Sequence, residues 1–219
     1  MYWKLTKMDF RSVISNYSDA PLLRHLILDL LKEYSRPNDK ISELLKSGDL
    51  IAVKRGLYTI GPKTGLAQPS PYLIANQLRG PSYITTETAL SYWGLIPERT
   101  FEIRSATTKI TKKYTTGVGR FSYQQLPLPY YSFGIKSVEL VGEMRALIAT
   151  PEKALCDQII FTSNIQLRTV KQATEYLLDD LRLDDELLRG FDLEMMSTWL
   201  EDSPKMKSLQ MLINTLEKL

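Results

Sequence analysis

The sequence of 219 residues contains one histidine, His25, and one cysteine, Cys156. A single cysteine cannot build an internal disulfide framework, and such a chain suits a reducing compartment. Zinc sites use several histidine, cysteine or carboxylate ligands, and two isolated residues cannot supply one. We therefore expect no metal and no other cofactor. We also expect Cys156 to be buried and inert, because no second cysteine or histidine lies near it in sequence to activate the thiol.

Signatures of catalysis are also missing. The one Gly-x-Gly, at Gly117–Gly119, lacks the third glycine of a dinucleotide fingerprint, and no P-loop or Gly-x-Ser-x-Gly elbow is present. A catalytic triad would have to use His25, whose place on an amphipathic helix favours a structural role. A metal-dependent nuclease remains an alternative only through scattered carboxylates. These are Glu98, Glu102, Glu139 and Glu143. The sequence therefore predicts a protein that is not an enzyme.

Long hydrophobic runs are absent too. No apolar stretch approaches the length of a membrane span, and the start, MYWKLTKMDF, has no signal-peptide apolar segment. Apolar residues make up 43% and charged residues 24% of the chain, which is typical of a folded protein. The length suits one large domain or two modest ones. We expect a cytoplasmic protein without a membrane partner.

The net charge of +3 is unevenly distributed along the chain. Residues 1–62 carry +3, residues 63–150 carry +5, and residues 151–219 carry −5. A basic front and an acidic end indicate that the front meets a polyanion such as nucleic acid. Small domains also scatter by a few charges, so this indication is modest.

The stretch 39–62 has the pattern of a helix followed by a β-hairpin. Helical spacing places apolar residues at Ile41, Leu44 and Leu45. Gly48 follows, where a helix C-terminus favours glycine. Two short apolar strands then flank the basic turn Lys54-Arg55-Gly56. This is the second half of a winged helix-turn-helix, in which the helix enters the major groove and the wing lies along phosphates. Helix–hairpin units with basic turns also occur in proteins that bind no nucleic acid, so the pattern leaves both interpretations open.

Two further helices are predicted ahead of this stretch. The first spans Met8 to Tyr17, and the second begins at Asp19-Ala20-Pro21, with the aspartate as N-cap and proline in the first turn. Together they complete a winged helix-turn-helix over residues 1–62. Residues 63–71 lie within a proline-rich stretch and form the predicted linker.

Residues 72–219 predict a mixed domain, which makes the fold class α+β. A helix from Tyr72 to Arg79 precedes a second helix, Thr86 to Trp93, that Thr85 can cap. From Thr100, short β-branched and aromatic segments predict a small antiparallel sheet of about four to six strands. Thr150 and Pro151 begin a helix to Phe161. Acidic helices follow from Leu167.

Basic and aromatic residues alternate between Arg99 and Arg120. The candidate nucleic-acid or partner surface consists of Arg104, Lys109, Lys112, Lys113, Tyr114 and Arg120. Lysines on a hairpin edge can contact phosphates or bases. They also deter aggregation between exposed strands, and this explanation stays open. The alternative function is therefore a non-enzymatic RNA- or protein-interaction module that uses residues 99–120.

Three motifs in succession resemble the AbiEi family of antitoxins and transcriptional regulators from bacterial type IV toxin–antitoxin systems. They are KRGLYTIGP, ITTETALSYWGLIPE and ATPEKALCDQI. The similarity covers about residues 35–160 in order and spacing. The resemblance implies an N-terminal winged helix-turn-helix that binds inverted repeats in its own promoter, represses the operon and dimerises on the palindromic site. It also implies a C-terminal domain that opposes a nucleotidyltransferase-like toxin without a stable complex, in defence against phage by abortive infection.

The resemblance also implies which residues touch DNA. The recognition helix spans about Asn38 to Ser47, and the wing is Lys54-Arg55-Gly56. Groove and phosphate contacts fall to Arg36, Asn38, Lys40, Ser42 and Lys46, and backbone contacts to Lys54 and Arg55.

Overall fold

The computed structural model describes residues 10–98, 100–140 and 144–219, and shows an α+β protein with two sheets. The predicted start of the first helix at Met8 lies outside these residues. The helices are α1 (Phe10–Ile14), α2 (Arg24–Leu30), α3 (Pro37–Ser47), α4 (Pro71–Leu78), α5 (Thr86–Tyr92), α6 (Pro151–Phe161), α7 (Val170–Glu175), α8 (Asp185–Leu188), α9 (Leu193–Thr198) and α10 (Met206–Leu216). The strands are β1 (Leu22–Leu23), β2 (Leu50–Lys54), β3 (Leu57–Ile60), β4 (Ser82–Ile84), β5 (Glu102–Thr107), β6 (Lys112–Thr116), β7 (Gly119–Gln125), β8 (Ile135–Glu139) and β9 (Arg145–Ala149). Within the described ranges, every helix lacks the length and apolar content needed to cross a membrane.

The N-terminal unit joins α1, α2 and α3 to an antiparallel sheet with the order β1-β3-β2. Its hydrophobic core contains residues from all three helices and all three strands. The fully or almost fully buried members include Ile14, Leu22, Ile27, Leu31, Ile41, Leu44, Leu50 and Ile60. The predicted end of α3 is confirmed: Gly48 adopts a left-handed conformation with φ of 78°. The sheet and the three helices therefore share one core.

The predicted start of the second helix at Asp19 is wrong. Leu22 and Leu23 instead form β1, which pairs with Tyr58 and Leu57 of β3, and α2 begins only at Arg24. A stripe of leucines fits a helix and a strand equally well over two residues. Pairing with a strand that lies more than thirty residues away in sequence decides the outcome, and local spacing cannot show this.

The second sheet has six strands in the order β6-β7-β5-β4-β9-β8. It is mixed, so the prediction of a purely antiparallel sheet is wrong: β5 runs parallel to β7, and β4 runs parallel to β9. The physical reason is that β7 inserts between β5 and β6, which are neighbours in sequence. Helix α4 covers one face of this sheet, where the Tyr123 hydroxyl donates to the Ala75 carbonyl. Helices α5 and α6 cover the other face.

Helix α6 begins and ends where the sequence predicts. Thr150 accepts a hydrogen bond from the Lys153 amide at 3.3 Å, and Pro151 occupies the first turn. Cys156 is buried on this helix, as predicted, and burial raises the pKa of its thiol to about 12. The C-terminal region forms the helices α7 to α10.

A buried ion pair on α6 ties this helix to the sheet. The Lys153 ammonium lies 2.7 Å from one carboxylate oxygen of Asp157, and both side chains are completely buried. Tyr83 and Thr85 donate to the other carboxylate oxygen at 2.8 and 2.7 Å. The ring of Tyr130 lies beneath the ammonium, 3.4 Å from its centroid. Each charge is therefore compensated by an opposite charge, by hydrogen bonds or by an aromatic face.

We expect Asp157→Asn to destabilise the protein by about 3–5 kcal/mol, because it leaves the buried ammonium without its counter-charge. The matched control is Glu175→Gln, which neutralises the acid of Lys171–Glu175, an i,i+4 pair exposed to solvent. The control should change stability by less than about 0.5 kcal/mol. Urea unfolding followed by circular dichroism measures both. Equal small losses would contradict the structural role of Asp157.

Gly61 holds the hairpin against the end of α3. Its amide donates to the Asp49 carbonyl at 2.7 Å, and a Cβ at this position would overlap the Gly48 carbonyl oxygen. We expect Gly61→Ala to cost roughly 2–4 kcal/mol, because the clash is with backbone. In Gly190→Ala the new carbon would meet only the Leu187 carbonyl at 3.4 Å. Thermal unfolding of both variants tests this, and similar melting temperatures would refute the clash.

Candidate nucleic-acid interface

Helix α3 presents one polar face to solvent and one apolar face to the core. Ile41 and Leu44 are buried, whereas five polar side chains are exposed. The exposed residues are Asn38, Asp39, Ser42, Glu43 and Lys46. Three of the predicted contact residues, Asn38, Ser42 and Lys46, therefore share one accessible surface. Arg36, just before the helix, is 82% exposed and lies 3.7 Å from Asp39.

Lys40 is placed differently from its predicted companions. Its side chain is only 20% exposed, and its ammonium contacts Glu43 at 2.7 Å. The ammonium also lies over the Tyr34 ring, 5.6 Å from the centroid. Two lysines and two acids make α3 electrically neutral. The helix surface is therefore better suited to hydrogen bonding with bases than to attracting phosphates.

Arg24 connects α3 with the hairpin, and sequence reasoning missed it. Its backbone amide donates to the Gly56 carbonyl in the hairpin turn at 3.0 Å. Its guanidinium donates to the side-chain oxygen of Asn38 at 2.7 Å, which leaves the Asn38 amide nitrogen to act as a donor elsewhere. Nothing in the sequence indicated that Arg24 lies beside the hairpin, because residues 22–23 resemble the start of a helix. Only the pairing of β1 with β3 brings Arg24 to the turn.

The two basic residues of the hairpin turn have different surroundings. Arg55 is exposed, and Gly56 has φ of 83°, which the turn requires. The Lys54 ammonium instead donates to the Leu78 carbonyl at the end of α4, at 2.6 Å. Val53 and Leu57 of the same hairpin pack in the larger hydrophobic core. The hairpin is therefore fixed to the second sheet along one side.

The candidate surface between residues 99 and 120 is divided by the sheet. Arg99 lies outside the described residues. On β6, Lys112 and Tyr114 point to one face, and Lys113 points to the other, because side chains alternate along a strand. Arg120 shares the face of Lys113, since Arg120 pairs with Thr115. These six residues therefore do not form one surface.

Arg104 is occupied by acids on its own face of the sheet. Its guanidinium contacts both carboxylate oxygens of Glu87 at 2.9 and 3.0 Å, and Glu102 lies 3.9 Å away. The Glu87 carboxylate also accepts from the Gln158 amide at 3.0 Å. This network leaves Arg104 little able to bind a phosphate.

The carboxylates considered for a nuclease are dispersed. Glu98 pairs with Arg182 at 3.6 Å, and Glu139 pairs with Arg145 at 3.4 Å on β8 and β9. Glu98 and Glu102 line one cavity of about 450 Å³, and Glu143 lies outside the described residues. Over residues 10–98, 100–140 and 144–219, no group of three or more histidine, cysteine or acidic side chains could hold a metal ion.

No protein-family model matches the chain, and no curated protein is significantly similar to it. The resemblance to AbiEi antitoxins therefore rests on the three sequence motifs alone.

Proposed function

We propose that the chain is a DNA-binding transcriptional autorepressor and antitoxin of a type IV toxin–antitoxin system. The single observation that carries the DNA-binding part is the link through Arg24. One side chain and its own backbone amide join the N-terminus of α3 to the turn between β2 and β3. In this proposal the N-terminal unit is a winged helix-turn-helix, α3 is its recognition helix and the hairpin is its wing.

The order of the elements supports this proposal. Two helices joined by a short turn, α2 and α3, precede an antiparallel hairpin that folds back on β1. A helix with one exposed polar face can lie in the major groove, which is about 12 Å wide. The exposed residues of α3 are small or short enough for close approach, and Lys46 extends from its last turn.

Charge and hydrogen-bonding chemistry indicate which residues would contact phosphates and which would contact bases. The exposed guanidinium groups of Arg36 and Arg55 flank a neutral helix and would hold phosphates. Asn38, oriented by Arg24, would read a base edge, and asparagine pairs well with adenine. Asp39 and Glu43 can accept a hydrogen bond from the amino group of cytosine. Acidic residues on a recognition helix can therefore contribute to sequence specificity.

The antitoxin part of the proposal comes from the motif resemblance. In this reading the second domain opposes a nucleotidyltransferase-like toxin encoded beside it, without forming a stable complex. The protein performs no catalysis itself and needs no cofactor. Inverted repeats in the promoter would be bound by a dimer. Residues 151–219 carry a net charge of −5, opposite in sign to the +3 of residues 1–62.

We expect the protein to bind the DNA just upstream of its gene more tightly than a scrambled duplex of equal length. In a salt titration, Arg36→Ala and Arg55→Ala should each lower the slope of log K against log [salt] by about one unit. Lys40→Ala should also weaken binding, with a smaller change in slope because Glu43 already pairs with this ammonium. Asn38→Ala should reduce the preference for the upstream sequence by roughly 1–3 kcal/mol.

The control for these titrations is Lys171→Ala, which removes a positive charge from an exposed site on α7. It should leave affinity and slope unchanged. Unchanged binding in the Arg36, Lys40 and Arg55 variants would remove this surface from the proposal. No binding by the unaltered protein at moderate salt would instead favour an RNA or protein partner for residues 99–120.

We expect co-expression of the chain to restore growth of cells that express a nucleotidyltransferase-like toxin encoded next to it. The toxin is transcribed from an unrelated promoter, so that repression cannot account for the rescue. An Arg36→Ala/Arg55→Ala variant should rescue as well as the unaltered protein, because the second domain is intact. Failure of both proteins to rescue would refute the antitoxin function while leaving DNA binding untouched.

A further inference from the structure

Four basic side chains meet where the hairpin joins the second sheet. They are Lys54, Arg79, Lys109 and Lys112, which we call the junction cluster. The Arg79 guanidinium donates to the Tyr114 hydroxyl at 3.3 Å and to the Ile110 carbonyl at 2.7 Å. The Lys112 ammonium lies over the Tyr114 ring, 5.1 Å from its centroid.

The cluster has no counter-charge in the part of the chain that the structure describes. None of its four residues forms an ion pair with a carboxylate there. The sequence gives a reason, because residues 103–138 contain neither aspartate nor glutamate. Arg104 and Arg145 of the same sheet, by contrast, pair with Glu87 and Glu139. The junction therefore carries an uncompensated positive charge.

This charge affects the pKa of the Tyr114 hydroxyl. Partial burial acts to raise the pKa of its hydroxyl. The hydrogen bond from Arg79 and the positive charges of Arg79, Lys112 and Lys54 outweigh burial, so that the pKa is lowered overall. Three of the four cluster cations, from the hairpin, from the end of α4 and from β6, thus lie close enough to act on one hydroxyl.

The carbonyl groups at the end of α4 compensate only part of the positive charge of the cluster. Lys54 donates to Leu78 and Lys109 donates to Gly80, as cations do at helix C-termini. Each ammonium has three donors, so two remain on each lysine. The partial charge of a helix end is about half an elementary charge, far less than four cations. Among the described residues, the Lys112 ammonium has no hydrogen-bond acceptor or acidic partner and lies over the Tyr114 ring.

We propose that the junction cluster binds a backbone phosphate of the same DNA duplex that α3 contacts. This inference rests on the proposed function. Lys54 adjoins Arg55 in the turn, and the tip of the β6–β7 hairpin lies against β2, since a Cβ on Gly117 would come within 2.6 Å of an Ile51 methyl group. The cluster therefore adjoins the hairpin turn, and in this proposal β6 acts as a second basic edge beside the wing.

The alternation of side chains on β6 supplies a matched control. Lys112 belongs to the junction cluster, whereas Lys113 is the next residue, carries the same charge, is equally exposed and points to the opposite face. Arg120 lies on that opposite face too. A double variant Lys109→Ala/Lys112→Ala is therefore compared with Lys113→Ala/Arg120→Ala. Both lose two charges from the same region.

The experiment measures binding to the upstream duplex as a function of salt concentration. For Lys109→Ala/Lys112→Ala we expect the slope of log K against log [salt] to fall by about one to two units, and affinity to fall alike for the upstream and scrambled sequences. For Lys113→Ala/Arg120→Ala we expect both quantities to stay unchanged. Thermal unfolding confirms that both variants fold.

Three outcomes of the DNA titrations would overturn the inference. Equal losses in the two double variants would show a general effect of net charge. No loss in Lys109→Ala/Lys112→Ala, with sequence-preferring binding by the unaltered protein, would refute the junction site and leave the proposed function standing. No DNA binding by the unaltered protein would refute both.

A small anion is the other source of the same chemistry. Inorganic phosphate, added at constant ionic strength, is tested for its effect on the melting temperature. One further outcome is that phosphate stabilises the unaltered protein and does not stabilise Lys109→Ala/Lys112→Ala, while both proteins bind DNA with the same slope of log K against log [salt]. That combination would assign the cluster to a free anion and overturn the assignment to DNA.

Discussion

The buried ion pair between Lys153 and Asp157 is the interaction on which the second domain depends. Removing two charges from water is costly unless nearly every donor and acceptor is satisfied. Tyr83 of β4 and Thr85, the residue that follows this strand, meet this need by donating to the Asp157 carboxylate. Burial, followed by the charge of Asp157, raises the pKa of Tyr83, so its hydroxyl remains a donor. The pair therefore fixes α6 against β4, at the centre of the six-stranded sheet.

The hydrogen bonds to Asp157 affect the backbone and the capping at the start of α5. Thr85 donates its hydroxyl to Asp157 and makes no side-chain cap on the helix. The next residue, Thr86, has φ of 53°, an uncommon conformation for a β-branched residue. The surrounding contacts hold the turn in this conformation. The sheet in turn supports α4 and β6, against which the hairpin of the N-terminal unit packs. The buried ion pair and the candidate interface are therefore connected through one continuous set of packed elements.

Signals that act over a few residues made much of the fold predictable. Gly48 ends α3, Thr150 and Pro151 begin α6, and Lys54-Arg55-Gly56 forms a hairpin turn, because caps and turns depend on neighbours in sequence. The pairing of β1 and the insertion of β7 between β5 and β6 could not be predicted, because they depend on distant partners. The same limit hid Arg24 from the candidate site. For the same reason the sequence pattern places Lys112 and Lys113 on one surface, although they lie on opposite faces of the sheet.

The meeting of β2 and β6 has a consequence for how separable the two units are. Each is the edge strand of its own sheet, and unpaired edges promote association between molecules. Side by side, they shield one another, and Val53 and Leu57 lie within the larger core. A fragment cut at the proline-rich segment would expose both an edge and apolar side chains. The N-terminal unit therefore depends on the second sheet for its stability, and a substitution on either side of this contact would affect both units.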